Sequence, residues 1–300
     1  MIKRKLQESQ PLVSIIMPAY NRKNVMGKAI DSCLRQTYKN IEVIICDDHS
    51  TDGTEQYIQN RMKEDFRIRY CKNPDGKKGA NAARNTAIRI ANGKYLAFLD
   101  TDDYLLDDSI EIRVKMFQEY PNTAMVYGNV YFEYHGKKGE WIYHDLKKEN
   151  LNQKKFLMEN LALCPQISIM FNKKVFQRIS MLDEKQKAWT DDGFVVALGM
   201  RYSIEHCGQF VSALVKSNTS MTSNKWNMYE GCKIMVHKYR REIIRYASLR
   251  RYVLWQVRLF SAYCYAKETD CDGKIQQKIW QFLHERIRDM VKPYFGIYCE

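Results

Sequence analysis

Apolar residues in the first 134 positions fall in short dense runs that alternate with stretches of helical spacing. Residues 12–19 (LVSIIMPA) form one such run, rich in β-branched side chains and closed by Pro18, which predicts a buried strand. Over residues 25–36, Val25, Ala29, Ile30, Cys33 and Leu34 recur at helical spacing. A second buried strand is predicted at 41–46 (IEVIIC), a helix at 54–63 and a short strand at 68–71. Residues 73–79 (NPDGKKG) have the composition of a loop, and 80–91 that of a helix ending at Asn92-Gly93. A fourth strand follows at 95–99 (YLAFL), then a mostly helical stretch at 105–120 and a strand at 124–134.

Strand and helix thus alternate four times in about 120 residues, the signature of a parallel sheet with helices on both faces. Ligands in such sheets bind beyond the carboxyl ends of the strands. Asp47, Asp48 and the run Asp100 to Asp103 all follow strand ends, so they are expected on one rim. Later in the chain, 163–171 and 204–215 read as strands and 191–200 as a helix. Beyond Lys225 the pattern turns helical, aromatic and basic, with 15 Lys and Arg against 8 Asp and Glu in residues 225–300.

The net charge of +13 favours anionic partners without choosing among nucleic acid, phosphorylated ligands and acidic lipid. Hydrophobic residues at 45% and charged residues at 28% predict a packed core. Nine cysteines, with no C-x-x-C pair, suggest neither a disulfide framework nor a zinc site, so reduced thiols in the cytoplasm are expected. Met1 to Gln10 is polar and unlike a signal peptide, and no window approaches the ~20 apolar residues of a membrane span.

Four constellations can carry chemistry. In Cys46-Asp47-Asp48-His49-Ser50-Thr51-Asp52-Gly53-Thr54, a carboxylate could accept hydrogen bonds from a base or ribose, or could simply cap the helix near Thr54. In Asp100-Thr101-Asp102-Asp103, three carboxylates in four residues repel one another unless a cation neutralises them. Mg²⁺ or Mn²⁺ suits carboxylate and phosphate oxygens; a solvated acidic loop is the plainer alternative. Arg84, in Gly79-Ala80-Asn81-Ala82-Ala83-Arg84-Asn85, suits a phosphate or a rim aspartate. In Trp189-Thr190-Asp191-Asp192-Gly193-Phe194, a carboxylate could act as a general base, although spacing alone favours a helix N-cap at Thr190 or Asp191.

Together these segments resemble the family 2 glycosyltransferases of GT-A fold. Pro18-Ala19-Tyr20-Asn21 is similar to the family's P-x-Y-N, CDDHSTDGT to its D-D-x-S-x-D-G-T, and GANAARNTAIRIANGKYLAFLDTDD to its long G-x-x-x-A-R-N…D-x-D-D stretch. Thr190-Asp191-Asp192 sits where the family carries an E-D motif. The resemblance implies an α/β fold, a GT-A Rossmann-like mostly parallel sheet with a helical C-terminal extension. It implies a nucleotide site at Pro18, Ala19, Tyr20, Asn21, Asp48, Gly79, Arg84 and Asp102, and Mn²⁺ or Mg²⁺ held by Asp103 and Asp102. Asp192 is the implied catalytic base, with Asp191 in place of the usual Glu. Implied partners are a nucleotide-sugar donor, with UDP favoured, and a saccharide or lipid-linked oligosaccharide acceptor in bacterial surface polysaccharide synthesis. Transfer would invert the anomeric centre.

The expected organisation is a tail at 1–10, a catalytic domain at 11–223 divided near residue 130 into nucleotide and acceptor halves, and a basic helical region at 224–300. That region reads either as an amphipathic surface for an anionic membrane or as a helical cap. Residues 214–221 lack the His often found there, which leaves a third metal ligand open and offers Lys216 to phosphate instead. No Q-x-x-R-W motif marks a processive synthase. A nucleic-acid-binding protein would explain the charge but not four aspartate clusters, so no nucleic-acid partner is expected. A nucleotidyltransferase would show a Gly-rich loop near the first strand, and a dehydrogenase G-x-G-x-x-G; both are absent.

Overall fold

The computed structural model describes residues 10–134, 137–186, 188–216, 224–269 and 274–291. Four strands, β1 (Val13–Ala19), β2 (Ile41–Asp47), β3 (Ile68–Lys72) and β4 (Tyr95–Phe98), pair in parallel in the order β3-β2-β1-β4. Helices α1 (Gly27–Leu34), α2 (Thr54–Glu64) and α3 (Ala80–Ile90) supply the crossovers.

Beyond β4 the sheet becomes mixed. β5 (Tyr104–Leu105) precedes α4 (Ser109–Glu119), β6 (Met125–Tyr134) and β7 (Lys137–Trp141); later come β8 (Met170–Asn172) and β9 (Ile204–Lys216). The full order is β3-β2-β1-β4-β8-β6-β9-β5, with β7 added on β6. β8 runs antiparallel to both neighbours, whereas β6 and β9 are parallel with a register shift near Asn129.

The period-two alternation of a strand sorts its residues into two cores. Ile16, Ile44, Leu96 and Phe98 face one layer with Ala83 and Ala87 of α3. Ile15, Met17, Val43, Ile45 and Ala97 face the other with Ala29, Ile30 and Cys33 of α1 and Ile110 and Val114 of α4. With both faces covered, the strands need continuous apolar runs, as the sequence has.

The strand predicted at 163–171 is mostly not one. Only its end enters β8, and Gln166–Ser168 form a 3-10 turn. The backbone N–H and hydroxyl of Ser168 both donate to the Pro165 carbonyl, closing a turn where an apolar composition suggested extension. The buried Arg113 guanidinium then satisfies the carbonyl of Ile169 at 2.9 Å. Helix α1 starts later than predicted, because Val25 and Met26 are drawn into a turn on the Arg22 carbonyl.

α5 (Gln153–Asn160) and α6 (Thr190–Gly199) are followed by α7 (Lys225–Lys238), the short α8 (Arg240–Glu242) running into a π-turn, α9 (Leu249–Thr269) and α10 (Lys274–Val291). Trp255 of α9 is fully buried. With Cys232, Met235 and Ile243 it joins the same apolar core as Leu157 and Phe194.

Candidate active site

The carboxyl ends of β1, β2 and β4 form one rim, and each aspartate on it has a definite set of partners. Asp48 N–H donates to the Ala19 carbonyl at 2.8 Å and so ties the ends of β1 and β2 together. Its carboxylate accepts from the Asn73 amide at 2.8 Å and from Gly79 N–H at 2.7 Å. Asp48 thereby pins both ends of the loop at 73–79. Gly79 sits at φ +104°, where a side chain would be strained, and leads directly into α3.

Neighbouring polar residues brace this rim. Asp47 accepts from Ser50 N–H, and Asp52 accepts from the backbone and hydroxyl of Thr54 in the turn ahead of α2, whose N-cap position is held by Gly53. Asn21, at φ +50°, donates its N–H to Ser50 Oγ and accepts from Thr51 N–H, both at 2.8 Å. Its hydrogen bonds thus join the β1 and β2 loops. Tyr20 beside it is 57% exposed.

Arg84 is buried on α3; its guanidinium pairs with Asp100 and bonds to Asn81. The turn after β4 closes through Asp103 N–H to the Asp100 carbonyl. Asp103 is itself buried and accepts from Val215 N–H of β9 at 2.8 Å. Burial pushes the Asp102 carboxyl above its ordinary pKa and the adjacent Asp100 charge adds to the shift, while Arg22 and Arg84 oppose it.

Across the rim, α6 brings up Asp192. The N-cap position of this helix is held by Trp189, at φ +57°, rather than by Thr190 or Asp191, to which spacing points. A bulky side chain in this left-handed region is uncommon and marks a turn held by its surroundings. Gln186 donates to the Ala188 and Trp189 carbonyls, Trp255 meets the Trp189 indole edge-on at 6.3 Å, and Arg258 lies 5.8 Å from its centre. The backbone of α7 approaches closely because Gly231 has no side chain; a Cβ there would lie 2.5 Å from the Ala188 carbonyl oxygen.

These pieces enclose one cleft of about 1240 Å³. Pro18, Ala19, Tyr20, Asp48, Gly79 and Arg84 line it, together with Asp100, Asp102, Asp103 and Asp192. The side chain of Asp191 and that of Lys216, and residues 217–223, where the sequence leaves a third metal ligand open, lie outside the described residues. Sequence reasoning missed the opposite wall, built by residues of α7, α9 and α10 such as Tyr229, Arg258 and His284. The only trace of that wall in the sequence is the concentration of aromatic and basic residues beyond 225.

The sequence model of glycosyl transferase family 2 matches residues 14–180, more than half of the chain. The chain belongs to that family. This membership decides against the nucleotidyltransferase reading. An Escherichia coli relative, UDP-Glc:alpha-D-GlcNAc-diphosphoundecaprenol beta-1,3-glucosyltransferase WfaP, is 49% identical over 122 residues, 41% of this chain and 47% of the relative. A Campylobacter jejuni relative, GalNAc(5)-diNAcBac-PP-undecaprenol beta-1,3-glucosyltransferase, is 36% identical over 154 residues, 51% of this chain and 49% of its own. The chain spans about half the length of these curated relatives.

Among solved structures, S. aureus TarS in complex with UDP-GlcNAc superposes with a TM-score of 0.65 at 17% identity, covering 93% of this chain and 81% of TarS. The mannosyltransferase PcManGT from Pyrobaculum calidifontis, in complex with GDP-Man and Mn²⁺, gives 0.63 at 15% identity, covering 96% and 83%. At such identities the likeness establishes the GT-A fold.

Proposed function

We propose that this family 2 glycosyltransferase moves a hexose, glucose in the first instance, from a UDP-sugar to a hydroxyl of a lipid-linked saccharide, with inversion. The observation that carries the reading is that Asp48, Arg84, Asp102, Asp103 and Asp192, from separate stretches of chain, line a single cleft. The two β-1,3-glucosyltransferase relatives support the choice of donor and acceptor.

The rim fits a divalent cation. Asp102 is a partly desolvated carboxylate beside a second one, an arrangement that a hard cation stabilises. Among the described residues no three His, Cys, Asp or Glu side chains form a metal cluster. Asp102 and Asp103 would therefore supply only part of a coordination shell, in keeping with the habit of Mg²⁺ to bind one or two carboxylates plus substrate phosphates. Mn²⁺ or Mg²⁺ bound there would stabilise the charge that develops on the leaving diphosphate.

The chain's own residues account for the rest. Asp48 and the Ala19–Tyr20 edge frame the nucleoside, and Arg84 fixes the Asp100 end of the rim. Asp192 takes the acceptor proton while the acceptor oxygen bonds to the anomeric carbon. The bond from that carbon to the diphosphate breaks in the same displacement, and its electron pair leaves with UDP. An α-linked donor thus gives a β-linkage.

Among the described residues no helix is long and apolar enough to cross a membrane. α9 exposes Leu249, Val253 and Phe260 along one stripe, and α10 exposes Ile279 and Phe282. Beside the basic excess of this region, these side chains support peripheral contact with an anionic membrane at the cytoplasmic face.

The test is nucleotide release from a panel of nucleotide sugars, UDP-glucose included, with purified protein and Mn²⁺. Slow UDP release is expected, stopped by EDTA and restored by Mn²⁺ or Mg²⁺. Asp103→Ala should abolish release, and Asp192→Asn should abolish transfer to an acceptor, each with an unchanged circular dichroism spectrum. No release from any donor would sink the reading, and full activity in chelator would remove the cation from it.

A further inference from the structure

A cleft of about 1240 Å³ exceeds the roughly 300–1,000 Å³ that surrounds one drug-sized ligand, so it has room for a donor and an acceptor together. Its aspartate rim lies within residues 14–180, which match the family. The opposite wall lies wholly beyond that match, on α7, α9 and α10, where Lys225, Tyr265, Glu268, Gln281, His284 and Arg288 line the cleft.

This wall is organised. His284 Nδ1 lies 3.1 Å from Ser261 Oγ and 3.2 Å from the Ser261 carbonyl oxygen. The Tyr265 ring stacks on the imidazole at 4.5 Å and 20°, and the Lys225 ammonium sits 3.5 Å from the centre of the Tyr265 ring. Three helices are thus locked to one another at this point. In the Nδ1–H tautomer the ring donates to the Ser261 carbonyl and offers Nε2 as an acceptor to the cleft. Burial holds the imidazole pKa below its ordinary value, and Arg288 and Lys225 act in the same direction while Glu268 opposes them. Those three charges therefore all lie within electrostatic reach of the ring.

The chemistry of the wall is that of a polyol site. Planar donors and acceptors (guanidinium, amide, imidazole, carboxylate) alternate around aromatic rings. Lys225, Arg258 and Arg288 are set against Glu268 and Glu285, and the Arg258 guanidinium lies over the Trp189 and Trp255 rings, so little free positive charge remains on the wall to select a phosphate.

We propose that α7, α9 and α10 form the acceptor-saccharide subsite, in which Gln281, His284 and Arg288 bond to hydroxyls of the sugar that presents the nucleophile to Asp192. The assignment rests on the transferase reading above and places acceptor recognition outside the segment that the family shares.

The test uses the full chain, UDP-glucose, and as acceptor probe an α-linked N-acetylglucosaminyl diphosphate on a short alkyl chain. Gln281→Ala, His284→Ala and Arg288→Ala are compared with the wild type. Each should leave acceptor-free UDP release within about twofold and raise the acceptor KM roughly tenfold or more, the scale of a lost hydrogen bond to a buried or charged group. An unchanged acceptor KM in all three variants overturns the subsite, and so does a rise in donor KM. Gln281→Ala and Arg288→Ala keep the test decisive if His284→Ala fails to fold. Wild-type protein that releases no nucleotide from any donor brings down the transferase reading instead. Release without glycosylation of the probe overturns the acceptor chemistry and this subsite together.

Discussion

Asp102 illustrates how a residue proposed for the cation site works against the stability of its own fold. Its carboxyl titrates above the ordinary value because burial and Asp100 disfavour the charge. The unfolded chain ionises it more readily, so its contribution to folding is most favourable below the unfolded value of about 3.9 and is lost as pH rises through the folded one. Asp102→Asn should therefore raise the melting temperature at pH 7 without cation, with the gain shrinking toward pH 4. The same variant should gain less than the wild type from UDP with Mn²⁺. A lower melting temperature at pH 7 would contradict the assignment. Residues of this kind were legible in the sequence because each follows an apolar strand directly, and strand ends share a rim. The hydrogen bonds of Asp48 to Asn73 and Gly79 were not legible, since loop closure over thirty residues leaves no periodic trace.

At the scale of elements, the turn at Trp189 depends on a helix that begins more than thirty residues later. Gly231 lets α7 close on the Ala188 carbonyl, and Trp255 and Arg258 of α9 hold the indole. Gly231→Ala would gain helix propensity, but its Cβ would meet a backbone oxygen that cannot swing aside. The clash decides the sign, with a loss of about 1–3 kcal/mol as in other overpacked sites. Thermal melts should show that loss, and transfer should fall more than UDP release because Asp192 follows the displaced turn. A variant as stable and as active as the wild type would remove α7 from the support of the site. Spacing suggested Thr190 or Asp191 as the cap here because local pattern carries no record of a helix packed from elsewhere. The same limit explains residues 163–171, whose apolar composition was right for burial and silent about the turn at Pro165.

For the whole molecule, the sheet and the C-terminal helices share an interior. Leu157 and Phe194 belong to the same apolar core as Trp255 and Leu259. Removal of the helices would expose that core, so residues 10–291 should unfold in one cooperative transition. Near-ultraviolet and far-ultraviolet signals in urea should coincide; two separated transitions would divide the chain near residue 223 after all. The alternation of the first 134 residues made the parallel half of the sheet readable. The mixed half, where β8 inserts between β4 and β6, depends on pairings between distant segments.

The order in which the chain visits its cleft has a consequence for descent. Every rim aspartate is laid down before residue 104, Asp192 follows on α6, and the facing helices all come after 224. A single crossover within the intervening gene segment would exchange one wall and preserve the other. Hybrids of two such proteins, joined so that Gly231 and Trp255 travel with their helices, offer a direct way to ask whether nature has used that seam to diversify its glycans.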